Sequence, residues 1–175
     1  MFRKKIYAGL LAAALTVTSL FANTVTARAE ESWPGGIDTQ SAAAIVMEQE
    51  TGAILYEKNI HATYYPASIT KILTALVALE NSSLDEVVTF SKDAVYLNEG
   101  DSSHISRDVG EQMTMEQCLY ALLLESANEC ANAIAEHVAG SVDAFAGMMN
   151  QKAQELGCTN THFVNPHGLH DENHY

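Results

Sequence analysis

Basic residues are scarce in this chain: nine Lys and Arg stand against 22 Asp and Glu, a formal net charge of −13 over 175 residues. Such an acidic surface repels polyphosphate backbones and anionic headgroups, which argues against nucleic acid as a partner. Cysteine is thin too, with Cys118, Cys130 and Cys158. Three is an odd number, and Cys118 and Cys130 fall in what reads as one helix, about 18 Å apart along its axis. That separation is too great for a disulfide, so free, partly buried thiols are expected. There are three prolines, no internal repeat and no low-complexity linker, a pattern that predicts one globular unit. Long apolar runs are absent except at residues 6–22, so no later segment is expected to span a bilayer.

That single run belongs to an N-terminal pattern. Arg3, Lys4 and Lys5 precede it, and Ala27-Arg28-Ala29 follows with small residues at the two positions a signal peptidase reads. The pattern predicts a secretory signal peptide over residues 1–29 and a mature chain of residues 30–175, exported from the cytoplasm. An uncleaved membrane anchor is the alternative, since the run is near the lower limit for crossing a bilayer. Removing the leader leaves five basic and 22 acidic residues, a formal charge of −17.

Taken in order, residues 42–47 and 53–56 are short apolar runs around a glycine-containing loop, which predicts a hairpin. A helix is expected from residue 66 or 67 to about 80–83, with Ile69, Ile72, Leu73, Leu76, Val77 and Leu79 toward the core. Residues 87–90 read as a strand and 91–110 as a polar surface excursion. Thr114 and Gln117 fit a capping box opening a helix with Cys118, Leu119, Leu122, Leu123 and Leu124, and the chain stops or tightens at 125–128. Further helical patterns cover 129–139 and 142–156, the latter with Gly157 in place to end it. Helices with a small sheet make an α+β class.

Chemistry concentrates at two places. Ser68-Ile69-Thr70-Lys71 puts a serine three residues before a lysine, on one helical face and one turn apart. A lysine kept neutral by desolvation can take the serine's proton as the hydroxyl attacks a carbonyl. The helix start supplies unpaired amides, and its positive end opposes protonation of the lysine. By itself the pattern also fits a helix-start serine and a surface lysine. The second place is Ser126-Ala127-Asn128, which also fits a plain turn between helices.

Together, in this order, the two motifs resemble the S-x-x-K and S-x-N elements of the penicilloyl-serine transferases. Pro66-Ala67, Leu122-Leu123-Leu124, Gly140-Ser141, Phe145, Met149-Asn150 and the run from Thr161 through Asn165-Pro166-His167-Gly168-Leu169 are similar to the serine D-alanyl-D-alanine carboxypeptidases, the low-molecular-weight penicillin-binding proteins. The resemblance implies a beta-lactamase/transpeptidase-like fold, here a helical region with part of an antiparallel sheet. It implies removal of the terminal D-alanine from peptidoglycan stem peptides through an acyl-serine, with beta-lactams as covalent inhibitors and no cofactor or metal. Ser68 would be the nucleophile and Lys71 its base. Ser126 would relay the proton to the leaving amine, and Asn128 would bind the substrate amide and hold Lys71. The Ser68 N–H would form half an oxyanion hole. A bacterial cell-envelope or secreted location follows.

Two departures stand out. Ala127 and Glu129 occupy positions commonly Gly and Asp in that branch, and no Lys-Thr-Gly occurs in the sequence. The family carries that element beyond the segment at 165–169, so the expectation is a chain truncated before it, with the fold incomplete at its C-terminus and any membrane-associating segment beyond Tyr175. Alternatives are a serine beta-lactamase, or a noncatalytic peptidoglycan-binding or interaction protein if the short chain is natural. His162, His167, His170 and His174 crowd one short segment, and a further reading takes His167, His170 and His174, with Asp171 and Glu172 nearby, as zinc ligands. A tight proline and glycine turn is the preferred account of that stretch.

Overall fold

Glu48 shapes the first described turn. Its carboxylate accepts the N–H groups of Glu50 at 3.0 Å and Thr51 at 2.6 Å, and the Thr51 hydroxyl and these amides hold its pKa below the usual range. Gly52 continues the turn at φ +71°, a left-handed conformation natural to glycine. The flanking strands are β1, Ala44–Met47, and β2, Ile54–Lys58, antiparallel with Val46 opposite Tyr56. In this computed structural model the described residues are 39–97 and 102–175. The expected leader, its cleavage site and part of the excursion near residue 100 lie outside them. The chain divides into two compact units, Met1–Ile60 with the hairpin and His61–Tyr175 with everything that follows.

The second unit opens with a 3-10 turn, Ala67–Ile69, that runs into helix α1, Thr70–Asn81. Its buried face is Thr70, Lys71, Thr74, Ala75, Val77 and Ala78. This corrects the expected face in part: Val77 is buried and Leu73 packs against the core, but Ile69, Ile72 and Leu79 are 69%, 66% and 53% exposed. Small and hydroxylated side chains let the helix approach its neighbours closely and donate hydrogen bonds to them. Ile69 and Ile72 instead line an open apolar groove with Leu73, Leu76, Leu156 and Phe163.

Strand β3, Val87–Thr89, pairs antiparallel with β4, Gln112–Thr114, Val88 opposite Met113. Between them lies a short helix α2, Lys92–Tyr96, capped by the Ser91 hydroxyl. Helix α3, Met115–Leu124, starts with the anticipated capping box: Thr114 Oγ1 accepts the Gln117 N–H at 3.2 Å, and Gln117 Oε1 accepts the Thr114 N–H at 3.0 Å. At Ser126 the backbone turns left-handed, φ +56°, and α4 follows at Asn128–Ala139. Helix α5, Val142–Glu155, is capped by Ser141 and followed by Gly157 at φ +83°.

Helix α4 is the centre of this unit. Every residue from Asn128 to Ala135 is buried, and α1, α2, α3, α5 and β3 all touch it. Its alanines admit neighbours on all sides, while Ile134 meets a core containing Phe90, Met115, Leu122, Phe145 and Met149.

The turn at Ser126 also corrects the cysteine reading. Cys118 and Cys130 lie on separate helices, both fully buried, with their thiols hydrogen-bonded to each other. That bond and burial push the Cys130 thiol well above its ordinary range. The thiols are free, as expected, and Cys158 is exposed rather than partly buried. Among the described residues no helix is long and apolar enough to cross a membrane.

Candidate active site

Three elements bring the two motifs together: the 3-10 turn with the start of α1, the turn between α3 and α4, and the loop at 163–174. Ser68 sits in the 3-10 turn and Lys71 in the first turn of α1. Lys71 Nζ is 3.1 Å from Ser68 Oγ, so the spacing of three residues delivers the expected pair. From 58 residues away, the Ser126 hydroxyl donates to the same Ser68 Oγ at 3.1 Å. One oxygen is thus flanked by an amine and a hydroxyl.

The backbone is strained on both sides of this oxygen. Ala67 has φ +49° and Ser126 φ +56°, left-handed values that cost a residue with a Cβ about 1 kcal/mol each. The Ser126 turn is held by its surroundings: the Ala127 N–H donates to the Ala121 carbonyl at 3.2 Å and the Asn128 N–H to the Ser103 carbonyl at 2.9 Å. Glu129, fully buried beside them, accepts the Ile105 N–H at 2.6 Å.

Lys71 is almost completely enclosed, and burial pushes its pKa down to about 8. Its second hydrogen bond goes to the His167 carbonyl at 2.8 Å, not to Asn128 as the resemblance implied. The loop carrying that carbonyl is fastened further by Thr74, whose hydroxyl donates to the Pro166 carbonyl at 2.6 Å. Asn165 Oδ1 accepts the Gly168 N–H at 2.7 Å and closes the turn. Gly168 lies against the strained turn so closely that a Cβ there would be 1.8 Å from the Ala67 carbonyl oxygen.

Ser68 and Asn128 line one cleft of about 430 Å³, with Tyr65, Ser102, Ser103, His167 and His170 among its walls. Asn128 is buried, and its Oδ1 has no hydrogen-bond partner among the described residues. A buried amide oxygen left unpaired costs stability, so a donor on a bound molecule would satisfy it. His167 is buried too, and burial followed by the Lys71 cation pushes its pKa down to about 4.

The crowded histidines, the three read as zinc ligands among them, have separate engagements. His167 Nδ1 accepts the Leu169 N–H, His174 contacts Thr70, His170 meets the Tyr65 ring, and His162 meets the Asn173 carbonyl. Among the described residues no group of three or more His, Cys, Asp or Glu side chains is arranged to hold a metal ion.

Comparison with known proteins then places the chain. The sequence profile of the D-alanyl-D-alanine carboxypeptidases matches residues 25–175. The chain belongs to this family. Family relatives include D-alanyl-D-alanine carboxypeptidase DacF of Bacillus subtilis, 35% identical over 98% of this chain and 44% of its own length. D-alanyl-D-alanine endopeptidase of Pseudomonas aeruginosa is 34% identical over 89% of this chain and 52% of its own. The crystal structure of penicillin binding protein 6B from Escherichia coli matches with a TM-score of 0.76 and 28% identity, over 82% of this chain and 48% of that one. The chain spans about half the length of these carboxypeptidase-family proteins or less. The architecture is α+β with the beta-lactamase/transpeptidase-like fold of the solved carboxypeptidases, as the motifs implied.

Sequence reasoning in this family found the polar side chains but missed their supports. The His167 carbonyl, Thr74 and the Ser103 carbonyl act through backbone atoms or distant contacts, which no local spacing reports. The signal available was Asn165-Pro166 followed by Gly168, a turn whose glycine has to pass close to another backbone.

Proposed function

We propose that this chain carries the acyl-transfer centre of a serine-type D-alanyl-D-alanine carboxypeptidase acting on peptidoglycan stem peptides that end in D-Ala-D-Ala. The observation that supports it is the Ser68 oxygen lying 3.1 Å from both the Lys71 amine and the Ser126 hydroxyl. Ser68 Oγ attacks the carbonyl carbon before the terminal D-alanine, and its proton passes to neutral Lys71. The tetrahedral oxyanion is met by the Ser68 N–H. The C–N bond then breaks, and the proton travels from Lys71 through Ser126 to the leaving amine. Water hydrolyses the acyl-serine and regenerates the hydroxyl. Asn128 Oδ1 accepts a substrate amide N–H, which fits its unpaired state. Beta-lactams acylate Ser68 by the same attack. Export through the leader at residues 1–29 places residues 30–175 at the cell envelope or outside the cell, where such peptides occur. The P. aeruginosa relative's endopeptidase name favours, as a second reading, an internal D-alanyl bond as substrate.

Intact mass after benzylpenicillin treatment of the full chain tests the first step. One covalent adduct is expected, absent in Ser68→Ala; an unmodified wild type defeats the reading. Release of free D-alanine from a pentapeptide, against cleavage of a cross-linked dimer, then separates carboxypeptidase from endopeptidase.

A further inference from the structure

His174 is outside the Ser68, Lys71, Ser126 and Asn128 set, yet its two ring nitrogens tie the loop at 163–174 to α1 beside Lys71. The ring is 2% exposed and packs edge-on against Phe163, with centroids 5.4 Å apart. The Val164 N–H donates to Nδ1 at 3.2 Å. Nδ1 must therefore hold a lone pair, and the single proton of the neutral ring lies on Nε2. Nε2 is 2.8 Å from Thr70 Oγ1, to which it donates. Thr70 is next to Lys71, and its Oγ1 lies under Gly168, 2.9 Å from where a Cβ would stand. The loop so fastened presents the His167 carbonyl that Lys71 Nζ contacts at 2.8 Å. Asn150 clamps the loop's near end, its Oδ1 accepting the Phe163 N–H at 2.7 Å and its Nδ2 donating to the Phe163 carbonyl at 2.8 Å.

We propose that His174, neutral and protonated on Nε2, is a positioning residue that fixes Lys71 through the loop at 163–169, and that a second proton on its ring releases this latch. The inference rests on Lys71 serving as the base of acyl transfer. The second proton can go only to Nδ1, where it would face the Val164 N–H, donor against donor. It would also put a cation in a site nearly closed to water. The titratable groups around the ring are Asp171 and His162 on its own segment and His167 on the loop, with Lys71 on α1 behind the His167 carbonyl. Asp171 favours the cation, but burial outweighs it and His162 opposes it, so the ring titrates below the ordinary imidazole range. His167 is pushed down as well, to about 4, by burial first and then by the Lys71 cation.

The test measures the second-order rate of acylation by a fluorescent penicillin against pH in the full chain. Below about pH 8 a single protonation, that of Lys71, gives a slope of about one in log rate against pH. Release of the latch steepens the wild-type slope to about two below the His174 titration. His174→Gln keeps an N–H donor toward Thr70 and cannot titrate. It is expected to acylate within about fivefold of wild type at pH 8 and to keep a slope of about one into the acid range. His174→Ala is expected to lose about tenfold or more at pH 8. A wild-type rate for His174→Ala, or the same steep acid limb in His174→Gln, overturns the proposal. Nitrogen-15 imidazole spectra of the full chain give a readout that needs no activity and no variant. The Nε2–H pattern for His174 at neutral pH supports the latch, and the Nδ1–H pattern overturns it even if Ser68 is never acylated. Acylation that fails in wild type while the Nε2–H pattern is seen counts against the acyl-transfer reading instead.

Discussion

Lys71 carries the sharpest consequence at the scale of a single residue. Enclosure lowers its pKa to about 8, against an ordinary value of 10.5, so near neutrality a useful fraction of the amine is free to accept the Ser68 proton. Acylation of Ser68 should rise about tenfold per pH unit between the His174 titration and about pH 8 and level off above that. The same shift bears on stability. The unfolded chain holds this proton more tightly than the folded one, so stability rises with pH between about 8 and 10.5 and gains nothing from this group at lower pH. Lys71→Arg keeps the charge but cannot give up its proton, and a loss of at least about 100-fold in acylation rate is expected. Stopped-flow penicillin binding across pH checks the rate, and denaturant titrations at pH 8 and 10 check the stability. Ser68 and Lys71 were legible in the sequence because three residues on a helix start fix their neighbourhood. The His167 carbonyl was not, since it reaches Lys71 across 96 residues and is a backbone atom that any residue type could supply.

At the scale of elements, the loop at 163–169 and the 3-10 turn at Ala67–Ile69 form one assembly. Gly168 has φ +86° and no room for a methyl group against the Ala67 carbonyl. Gly168→Ala therefore combines backbone strain with a clash against backbone, which cannot swing aside as a side chain can. We expect a loss of about 2 kcal/mol or more in stability, with acylation falling further than stability alone explains because the displaced turn bears Ser68. Thr114→Ala makes the contrast. It removes one half of the α3 capping box, costs about 1 kcal/mol, and leaves the acylation rate of the folded protein unchanged. Urea unfolding beside penicillin-binding rates separates the two. The same level shows where sequence patterns succeed and fail. The capping box, the Gly157 helix end and the first hairpin follow local rules and were readable. The β3–β4 pairing was not, because the 91–110 stretch joining the strands carries its own helix and gives no hairpin signal. The buried face of α1 was only partly readable: Val77 is buried and Leu73 packs against the core as expected, but apolar periodicity also picks the exposed Ile69, Ile72 and Leu79 and passes over Thr70, Thr74, Ala75 and Ala78.

Across the His61–Tyr175 unit, stability and chemistry share one helix. The N-terminal residue of α4, Asn128, faces the cleft, and its interior residue Ile134 is fully buried among the helices and β3 that surround it. Ile134→Ala removes aliphatic volume where close-packed neighbours on every side limit collapse, and a cost of about 2–5 kcal/mol is expected. Because α4 also backs the Ser126 turn, Ser68 should lose its capacity for acylation over the same temperature interval in which the unit melts, and that interval should move down together for both signals. Lys152 provides the control. Its ammonium pairs with Glu80 at 2.8 Å and Glu155 at 2.7 Å, but these groups lie at the surface, where water and salt screen them. Lys152→Ala should leave the melting temperature and its salt dependence close to wild type. Circular dichroism melts paired with residual penicillin binding after each temperature step would show it. If Ile134→Ala melted early while acylation persisted to the wild-type temperature, the site would rest on the loop at 163–174 and α1 alone, and α4 would be only a scaffold for the rest of the unit.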